Sequence, residues 1–265
     1  MFCLNYYPYC SYLDEADELK IYYHHPNQKI EEILQKYPNK MIIIDIANTI
    51  DDLDIKLLIA LYEKYHNFKI LIDVYDTDNI NKIQESKIPF FFTNFVNHID
   101  QLYGLMQYHP TDMYICEELG FFLDKVSTIL HQNNIKVRVL PNICQSSFLR
   151  GLDSIKTFFI RPEDIPAYST FVDVFELISD QNTQPTIFKA YQQHKWFGKI
   201  SEIIPSFHGE LNSRYIMDNF GIIRSQCGKR CMYKPGSCTI CDRFIEVADT
   251  LKKNNISIMH SYKNP

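Results

Sequence analysis

The sequence predicts an α/β protein from two observations, and a third bears on which α/β architecture it adopts. Short apolar, β-branched runs recur eight times at nearly even intervals, as buried strands do. Amphipathic stretches separate these runs, with apolar residues three and four positions apart, as in helices. The chain of 265 residues has only 8 Gly, and no glycine-rich loop follows any early strand. Strands that alternate with helices in this way run parallel and are joined by crossover helices.

The predicted strands are apolar runs that end at polar or turn-forming residues. In chain order they are Leu19–Tyr23, Met41–Ile46, Phe68–Val74, Pro89–Thr93, Asp112–Cys116, Ile135–Leu140, Ile155–Ile160 and Val172–Ile178. Helical spacing is clearest in two of the segments between them, Asp54–Tyr65 and Gly120–His131.

Eight βα units that close on themselves form a (β/α)8 barrel of the TIM type, and this is the architecture we predict. Typical barrels take about 250 residues, whereas the predicted strands end by Ile178, so the units are compact. The alternative is an open doubly wound sheet, which the missing phosphate loop disfavours. After Ile178 a polar, turn-prone stretch, SDQNTQPT, marks a boundary. We therefore predict a barrel over residues 1–178 and a C-terminal cysteine-rich metal-binding extension over residues 179–265.

The composition is that of a globular protein without a strong charge. Hydrophobic residues make up 46% of the chain and charged residues 22%, and the formal net charge is -5. This weak acidity produces no overall field that would recruit nucleic acid or an anionic membrane. The longest apolar runs are too short to span a bilayer, and the N-terminus lacks the basic and apolar regions of a signal peptide. We expect a cytoplasmic protein with no membrane partner.

Four of the chain's eight cysteines lie close together near the C-terminus, at Cys227, Cys231, Cys238 and Cys241. In a reducing compartment, clustered thiols are more often metal ligands than disulfides. Four thiolates can surround one zinc ion in a closed tetrahedral site, or hold a 4Fe-4S cluster at its corners. The spacing therefore predicts a metal site and leaves both the iron-sulfur cluster and zinc open.

Catalytic groups of a barrel lie at the carboxyl ends of its strands, so the polar residues there are candidates. We place most weight on Asn142, Arg161 and Glu176, which would converge near the last three predicted strands, where barrels often bind anions. The remaining candidates are explained equally well as helix caps or solvated surface. They are His24, His25, Asp45, Asn48, Asp73, Asp76, Asn94, Glu117, Glu118, Gln145 and Glu163.

Five segments between about residues 86 and 245 carry a resemblance to a known family: MYICEELGFFLDKVSTIL, IKVRVLPNICQSS, GLDSIKTFFIRPEDIPAY, VDVFELI and CGKRCMYKPGSCTIC. They resemble the collagenase-like peptidase family of TIM barrels, also called the U-thirty-two peptidases. The resemblance implies that Asn142 and Arg161 face the barrel mouth and that the four clustered cysteines bind a 4Fe-4S cluster. Family members are implicated in hydroxylation of tRNA, ribosomal RNA and quinones, and peptidase activity is claimed for some. The segment from Ser179 to Gln226 departs from the family, whose first cysteines follow the last strand almost directly.

Two functions from different classes follow. The first is an iron-sulfur enzyme or accessory factor in hydroxylation of RNA or of a small aromatic molecule. The second is a non-catalytic binding or assembly protein, with a protein partner, in which zinc fastens the extension to the barrel. A peptidase is a weaker alternative, because the sequence shows no convincing nucleophile and base. The Gly-x-Ser-x-Gly, Walker and His-Glu-x-x-His signatures are absent, which disfavours the common hydrolases and nucleotide-binding enzymes.

Overall fold

The computed structural model describes residues 1–8, 10–23, 29–46, 51–96, 98–115, 120–142 and 160–204. Within these ranges nine strands form one sheet in the order β5-β4-β3-β2-β1-β9-β8-β7-β6. The strands are β1 (Phe2–Asn5), β2 (Glu18–Tyr22), β3 (Met41–Asp45), β4 (Phe68–Ile72), β5 (Phe90–Phe92), β6 (Phe95–Val96), β7 (Asp112–Ile115), β8 (Lys136–Val139) and β9 (Val174–Leu177).

Neighbouring strands run parallel, and their register places side chains of one face side by side. On β2 and β3, Tyr22 lies opposite Asp45, and on β7 and β8, Tyr114 lies opposite Arg138. β1 pairs with β2, with Cys3 opposite Glu18. Parallel strands of this kind need crossover connections, which the intervening helices supply.

The sheet closes on itself at the segment that contains β5 and β6. β5 pairs with β4, β6 pairs with β7, and only two residues separate β5 from β6. Below this break, the Thr111 amide donates a hydrogen bond of 2.8 Å to the Phe90 carbonyl. One interrupted strand therefore joins both edges of the sheet, so that the nine strands fill eight places in a nearly closed ring. The predicted (β/α)8 barrel is confirmed for this part of the chain.

Seven helices accompany the strands within the described ranges. They are α1 (Lys29–Lys36), α2 (Asp52–Tyr65), α3 (Thr77–Ser86), α4 (Ile99–Met106), α5 (Gly120–Gln132), α6 (Ile165–Tyr168) and α7 (Gln184–Gln192). Short 3-10 helices cover Ser11–Glu15, Pro162–Asp164 and Ile200–Glu202. The two helices predicted from spacing correspond to α2 and α5.

The ends of α2 show why this segment is helical. The Asp51 carboxylate accepts hydrogen bonds of 2.9 Å from the amides of Leu53 and Asp54, and Asp54 accepts one of 3.1 Å from the Asp51 amide. This reciprocal pair is a capping box, which satisfies amides that have no partner inside the helix. The last helical residue is Tyr65. The next residue, His66, caps the helix in a left-handed conformation with φ of 55°.

The strands at two places differ from the sequence prediction or lie outside the described residues. The first strand of the ring is Phe2–Asn5, which the sequence pattern missed, and it occupies the place between β2 and β9. The predicted strand Ile155–Ile160 lies outside the described residues except for Ile160, whose amide donates a hydrogen bond of 2.8 Å to Pro141. β8 pairs directly with β9, with Arg138 opposite Val174. The other predicted strands are found within two residues of their expected ends.

The chain divides into two compact units. The first is Met1–Cys116 with Thr128–Val139 and Asp173–Glu176, and it contains the ring of strands apart from the last residue of β9. The second is Glu117–Ser127 with Leu140–Val172 and Leu177–Pro265. In its described part, Tyr191 of α7 donates a hydrogen bond of 2.7 Å to the Ile160 carbonyl. The boundary predicted at residue 179 stays a prediction.

The two faces of the sheet differ in chemistry. Leu19 lies opposite Ile42 and Ile21 opposite Ile44, and all four are buried. Because side chains alternate along a strand, this apolar face is the one away from Glu18, Lys20 and Asp45. The barrel core therefore lies between sheet and helices, while the interior of the ring contains polar groups. No helix in the described ranges is long and apolar enough to cross a membrane.

Candidate active site in the barrel interior

The interior of the ring is lined by ionisable side chains from six strands. Each of them stands at alternate positions in a strand that is otherwise apolar, so they share the inner face. They are Glu18 and Lys20 of β2, Asp45 of β3, Lys69 of β4, Asp112 and Tyr114 of β7, Arg138 of β8 and Glu176 of β9. Ionisable side chains are rarely this buried unless they are paired, so their partners decide what the interior does.

The first group consists of Glu18, Lys69, Asp112 and Arg138, and we call it the lower cluster. Asp112 accepts a hydrogen bond of 2.6 Å from Arg138 Nε and one of 2.5 Å from Lys69 Nζ. Arg138 also donates from Nη2 to Glu18 and is fully buried. Its guanidinium carbon lies 4.5 Å from the centroid of the Phe91 ring, within the range of a cation–π contact. These contacts link β2, β4, β7 and β8 through charge.

The second group, the mouth cluster, consists of Lys20, Tyr22, Asp45, Tyr114 and Glu176. Lys20 Nζ lies 3.1 Å from Asp45 Oδ2 and 3.1 Å from Glu176 Oε1. Tyr114 donates its hydroxyl hydrogen to Glu176 Oε2. Tyr22 and Asp45 are the last residues of β2 and β3, so the cluster extends to the carboxyl ends of the strands, where barrels place their chemistry.

The clusters are joined and contain more acid than base. Arg138 Nη1 lies 3.6 Å from Glu176 Oε2 and so connects the two. Among the described residues, three cations, Lys20, Lys69 and Arg138, face four carboxyl groups, so the carboxyl groups outnumber the cations by one. A buried surplus charge is costly, and the cost is avoided when one carboxyl keeps its proton.

Among the acids of the mouth cluster, Asp45 has a pKa above its ordinary value. Burial raises its pKa, the Lys20 ammonium opposes this effect, the Glu176 carboxylate adds to it, and the net direction is upward. For Lys20, burial acts to lower the pKa, but the Glu176 and Asp45 carboxylates outweigh it and the net direction is upward. The mouth cluster thus pairs a carboxyl of raised pKa with a persistent ammonium, as sites for general acid–base catalysis do.

Tyr22 is the part of the mouth cluster that solvent reaches. Its side chain is 44% exposed, whereas Lys20 and Asp45 are 8% and 6% exposed. Lys20 Nζ lies 5.5 Å from the centroid of its ring. Burial raises the pKa of the Tyr22 hydroxyl. An exposed aromatic ring beside a buried cation offers a flat surface on which another ring can stack.

Of the three residues predicted to be catalytic, Glu176 belongs to the mouth cluster in the first unit. Asn142, in the second unit, donates from Nδ2 to the Ile178 carbonyl at 2.6 Å and accepts from the Ile178 amide at 2.9 Å. Arg161, also in the second unit, directly precedes the helix Pro162–Asp164 and donates from Nε and Nη2 to the Asp164 carboxylate at 2.9 Å each. Both are buried. Catalysis by Asn142 and Arg161 stays a prediction.

Several other candidates have structural partners. The Asp76 carboxylate accepts a hydrogen bond from the Asn79 amide and so caps α3. Asp73 accepts one of 2.9 Å from the Tyr75 amide. Asp45, for which a capping role was an equal alternative, lies in the mouth cluster instead. His24, His25, Asn48, Glu117, Glu118 and Gln145 lie outside the described residues.

The predicted metal ligands Cys227, Cys231, Cys238 and Cys241 also lie outside the described residues. Among the residues that are described, no three or more His, Cys, Asp or Glu side chains form a group suited to a metal ion. The donor set of four thiols fits zinc and fits an iron-sulfur cluster. The metal site therefore stays a prediction.

Sequence reasoning missed most of the interior cluster because it searched the residues after each strand. Lys20, Lys69 and Arg138 stand within strands, in the sequences ELKIY, FKILI and KVRV. Parallel strands covered on both faces are normally continuous apolar runs. A charged residue inside such a run is therefore the signal that would have found them.

Comparisons with known proteins add little to this geometry. No protein-family model matches the sequence, and no curated protein matches it. Orotidine 5'-phosphate decarboxylase from Thermotoga maritima is similar in structure, with a TM-score of 0.39 and 12% sequence identity. The match covers 71% of this chain and 96% of that one. A likeness at this level supports no argument about activity, and the barrel assignment rests on the strand order and register.

Proposed function

We propose that this chain is a metal-binding barrel protein, an iron-sulfur enzyme or accessory factor, that acts in hydroxylation of RNA or of a small aromatic molecule. The observation that supports an enzyme is the mouth cluster, where Asp45 has a raised pKa beside Lys20 at the carboxyl ends of the strands. The resemblance to the U-thirty-two family in the last strands and the cysteine segment supports the choice of reaction.

The proposed roles of the residues follow from their chemistry. The ring of Tyr22 stacks against the aromatic ring of the substrate. The Lys20 ammonium binds an oxygen substituent on the substrate ring. Asp45 holds a proton or accepts one from the bound oxygen, because its pKa is raised. Glu176 positions Lys20 through its 3.1 Å contact. The cluster bound by the four cysteines would supply one-electron transfer.

A second candidate is a non-catalytic binding or assembly protein in which the cysteines bind a structural zinc. A different observation favours it: Lys20 is already neutralised by two carboxylates, and the Asn142 carboxamide and the Arg161 guanidinium bond to neighbouring groups. Groups held in this way stabilise a fold without any catalytic duty. Such a protein would act through a protein partner.

Peptidase activity is the weakest candidate. A cysteine nucleophile needs a lowered pKa, since the thiolate is the reactive form. Burial, with the nearby Glu176 carboxylate, raises the pKa of the Cys3 thiol in the barrel interior. Cys3 is therefore a structural residue.

Metal analysis of protein purified without oxygen tests the proposal. Iron with sulfide and a broad visible absorption is expected for the iron-sulfur protein, whereas one zinc per chain and no colour would favour the binding protein. Cys238→Ser should remove the colour while the barrel remains folded. Under the zinc alternative, the same substitution should destabilise the protein, because structural zinc contributes to the folding free energy. Cys10→Ser is the matched control, as Cys10 lies outside the cysteine segment and is half-buried.

The mouth cluster is tested separately by Glu176→Gln, assayed for hydroxylation of RNA and of quinones. We expect turnover to fall by about 100-fold or more at unchanged metal content. Glu31→Gln removes an exposed ion pair with Lys64, outside the mouth cluster, and should leave turnover unchanged. Full turnover by Glu176→Gln would exclude the mouth cluster as the reaction site.

A further inference from the structure

A cavity of about 370 Å³ lies in the first unit, apart from the residues of the two interior clusters. It is formed by the residues after β4, by the break between β5 and β6, and by one face of α4. The side chains that matter to its chemistry are Tyr75, Asn94, Phe95, Gln107 and Tyr108. Its volume falls within the range of about 300–1,000 Å³ that ligand pockets occupy.

The lining side chains in the described part of the chain are aromatic rings, side-chain amides and two aliphatic groups, Val74 and Leu105, and none of these is charged. Asn94 Oδ1 accepts a hydrogen bond of 3.2 Å from the Val74 amide, which fixes the plane of the carboxamide. Among the described residues, its Nδ2 group has no partner. Tyr75 is 85% exposed, an unusual state for an aromatic side chain. A ring to stack on and a fixed amide donor suit a flat ligand with hydrogen-bond acceptors on its edge.

Gly104 of α4 is one of the residues that line the cavity. A Cβ atom at this position would meet no heavy atom within 4 Å, so there is open space beside it and alanine would fit without a clash. Glycine inside a helix is less favourable than alanine. A longer side chain at this position is therefore a probe of whether the ligand occupies the space next to α4.

We propose that this cavity binds a neutral heteroaromatic ring of nucleobase type, stacked on Tyr75 and bonded through its edge to Asn94. The inference does not depend on the proposed function, since it requires neither metal nor catalysis. Because none of the described residues that line the cavity is a lysine or arginine, recognition falls on the ring and not on a phosphate, so binding should depend little on salt. The ring is either that of a free nucleoside or that of an unpaired base in a single strand, and both present the same face and edge.

Calorimetric titration of the full chain with adenosine, guanosine, cytidine and uridine, and with seven-nucleotide homopolymers of the same bases, tests the proposal. We expect saturable binding of at least one nucleoside with Kd below about 1 mM. A nucleoside that binds as well as its homopolymer identifies a free small molecule as the ligand, and a homopolymer that binds at least about tenfold more tightly identifies a single strand. Failure of all eight compounds to bind would overturn the proposal.

Variants at the cavity separate binding from folding. Tyr75→Ala should raise Kd at least about fivefold, as loss of a stacking ring does. Tyr103→Ala is the matched control. Tyr103 lies on α4 and is 56% exposed, but it does not line the cavity. Gly104→Leu should abolish binding without lowering the unfolding temperature, while Gly104→Ala should retain binding. Equal losses in Tyr75→Ala and Tyr103→Ala, or full binding by Gly104→Leu, would place the ligand elsewhere and overturn the proposal.

Discussion

Lys20 is held between two carboxylates at 3.1 Å in the interior of the barrel, and this contact could not be read from the sequence. Glu176 was a candidate from its strand position and Asp45 from its position at a strand end. Their common partner was not, because a lysine in an apolar run has no local signature of pairing. Glu176 lies 156 positions from Lys20 in the sequence, and the order β2-β1-β9 in the sheet brings the two together. Sequence reasoning therefore found Asp45 and Glu176 and missed the other two interior acids and all three cations.

Asp112 provides a prediction about pH. Burial acts to raise its pKa, but the Arg138 guanidinium and the Lys69 ammonium outweigh burial, and the net pKa is lowered. An acid whose folded pKa lies below its unfolded value stabilises the fold above the unfolded pKa, and this stabilisation is lost as pH falls through the folded pKa. The unfolding free energy of the natural chain should therefore decline more steeply than that of Asp112→Asn between about pH 5 and pH 2. Urea titrations at a series of pH values measure both slopes.

Loss of the buried carboxylate also weakens Asp112→Asn at neutral pH, by about 3–5 kcal/mol, because Lys69 and Arg138 lose a partner. A second weakened variant is needed to separate this loss from the change in slope. Val137→Ala serves, since Val137 is fully buried in β8 and has no ionisable group. Its slope with pH should match that of the natural chain. Identical slopes for all three proteins would mean that Asp112 is not the titrating group.

At the scale of elements, long periodic segments were predicted well and short ones poorly. α2 and α5 were found because fourteen and thirteen residues give several turns of helical periodicity. β1 was missed because its four residues contain too little pattern and stand beside no turn signal. The strand predicted at Pro89–Thr93 corresponds to β5, whereas β6 was missed because its two residues are too few to form a pattern. The position of a strand follows from local composition, whereas a break within it depends on the strands with which it pairs.

The capping box of α2 allows a prediction at this scale. Asp51→Ala removes an acceptor for the amides of Leu53 and Asp54, and the unfolding free energy should fall by about 1 kcal/mol. Glu63→Ala, an exposed substitution on the same helix, should change it by less than about 0.5 kcal/mol. Urea denaturation followed by far-ultraviolet circular dichroism measures both. An equal effect of the two substitutions would show that the cap does not stabilise α2.

For the molecule as a whole, the closed barrel was predictable, but the segment that lies between β2 and β9 was not. Alternating runs imply parallel strands and crossover helices, and eight units imply a ring. The eight strands predicted from the sequence begin at Leu19 and omit β1. A count of βα units does not reveal which segment of the chain occupies each place in the ring. The register of β1 against β2 and its position beside β9 supply that information.

Removal of residues 1–5 tests the closing role of β1. The variant leaves one edge each of β2 and β9 without a partner, so we expect loss of a cooperative thermal transition and association into larger species. Size-exclusion chromatography and calorimetry measure these outcomes. Leu4→Ala keeps the backbone of β1, so it should remain monodisperse and lose about 2–5 kcal/mol of stability. A shortened chain that melts cooperatively at the original temperature would contradict the closing role.

The place of β1 in the ring also determines the order in which the barrel can be completed. The Phe175 amide donates to the Met1 carbonyl at 3.0 Å, a contact between residues at opposite ends of the barrel sequence. During synthesis, β1 emerges first and its second neighbour emerges only after about 170 more residues. Contacts this distant in sequence form slowly, because loop closure costs entropy before the contact is made. Ring closure should therefore be the final step of folding, and until it occurs the nascent chain exposes a strand edge that chaperones can bind.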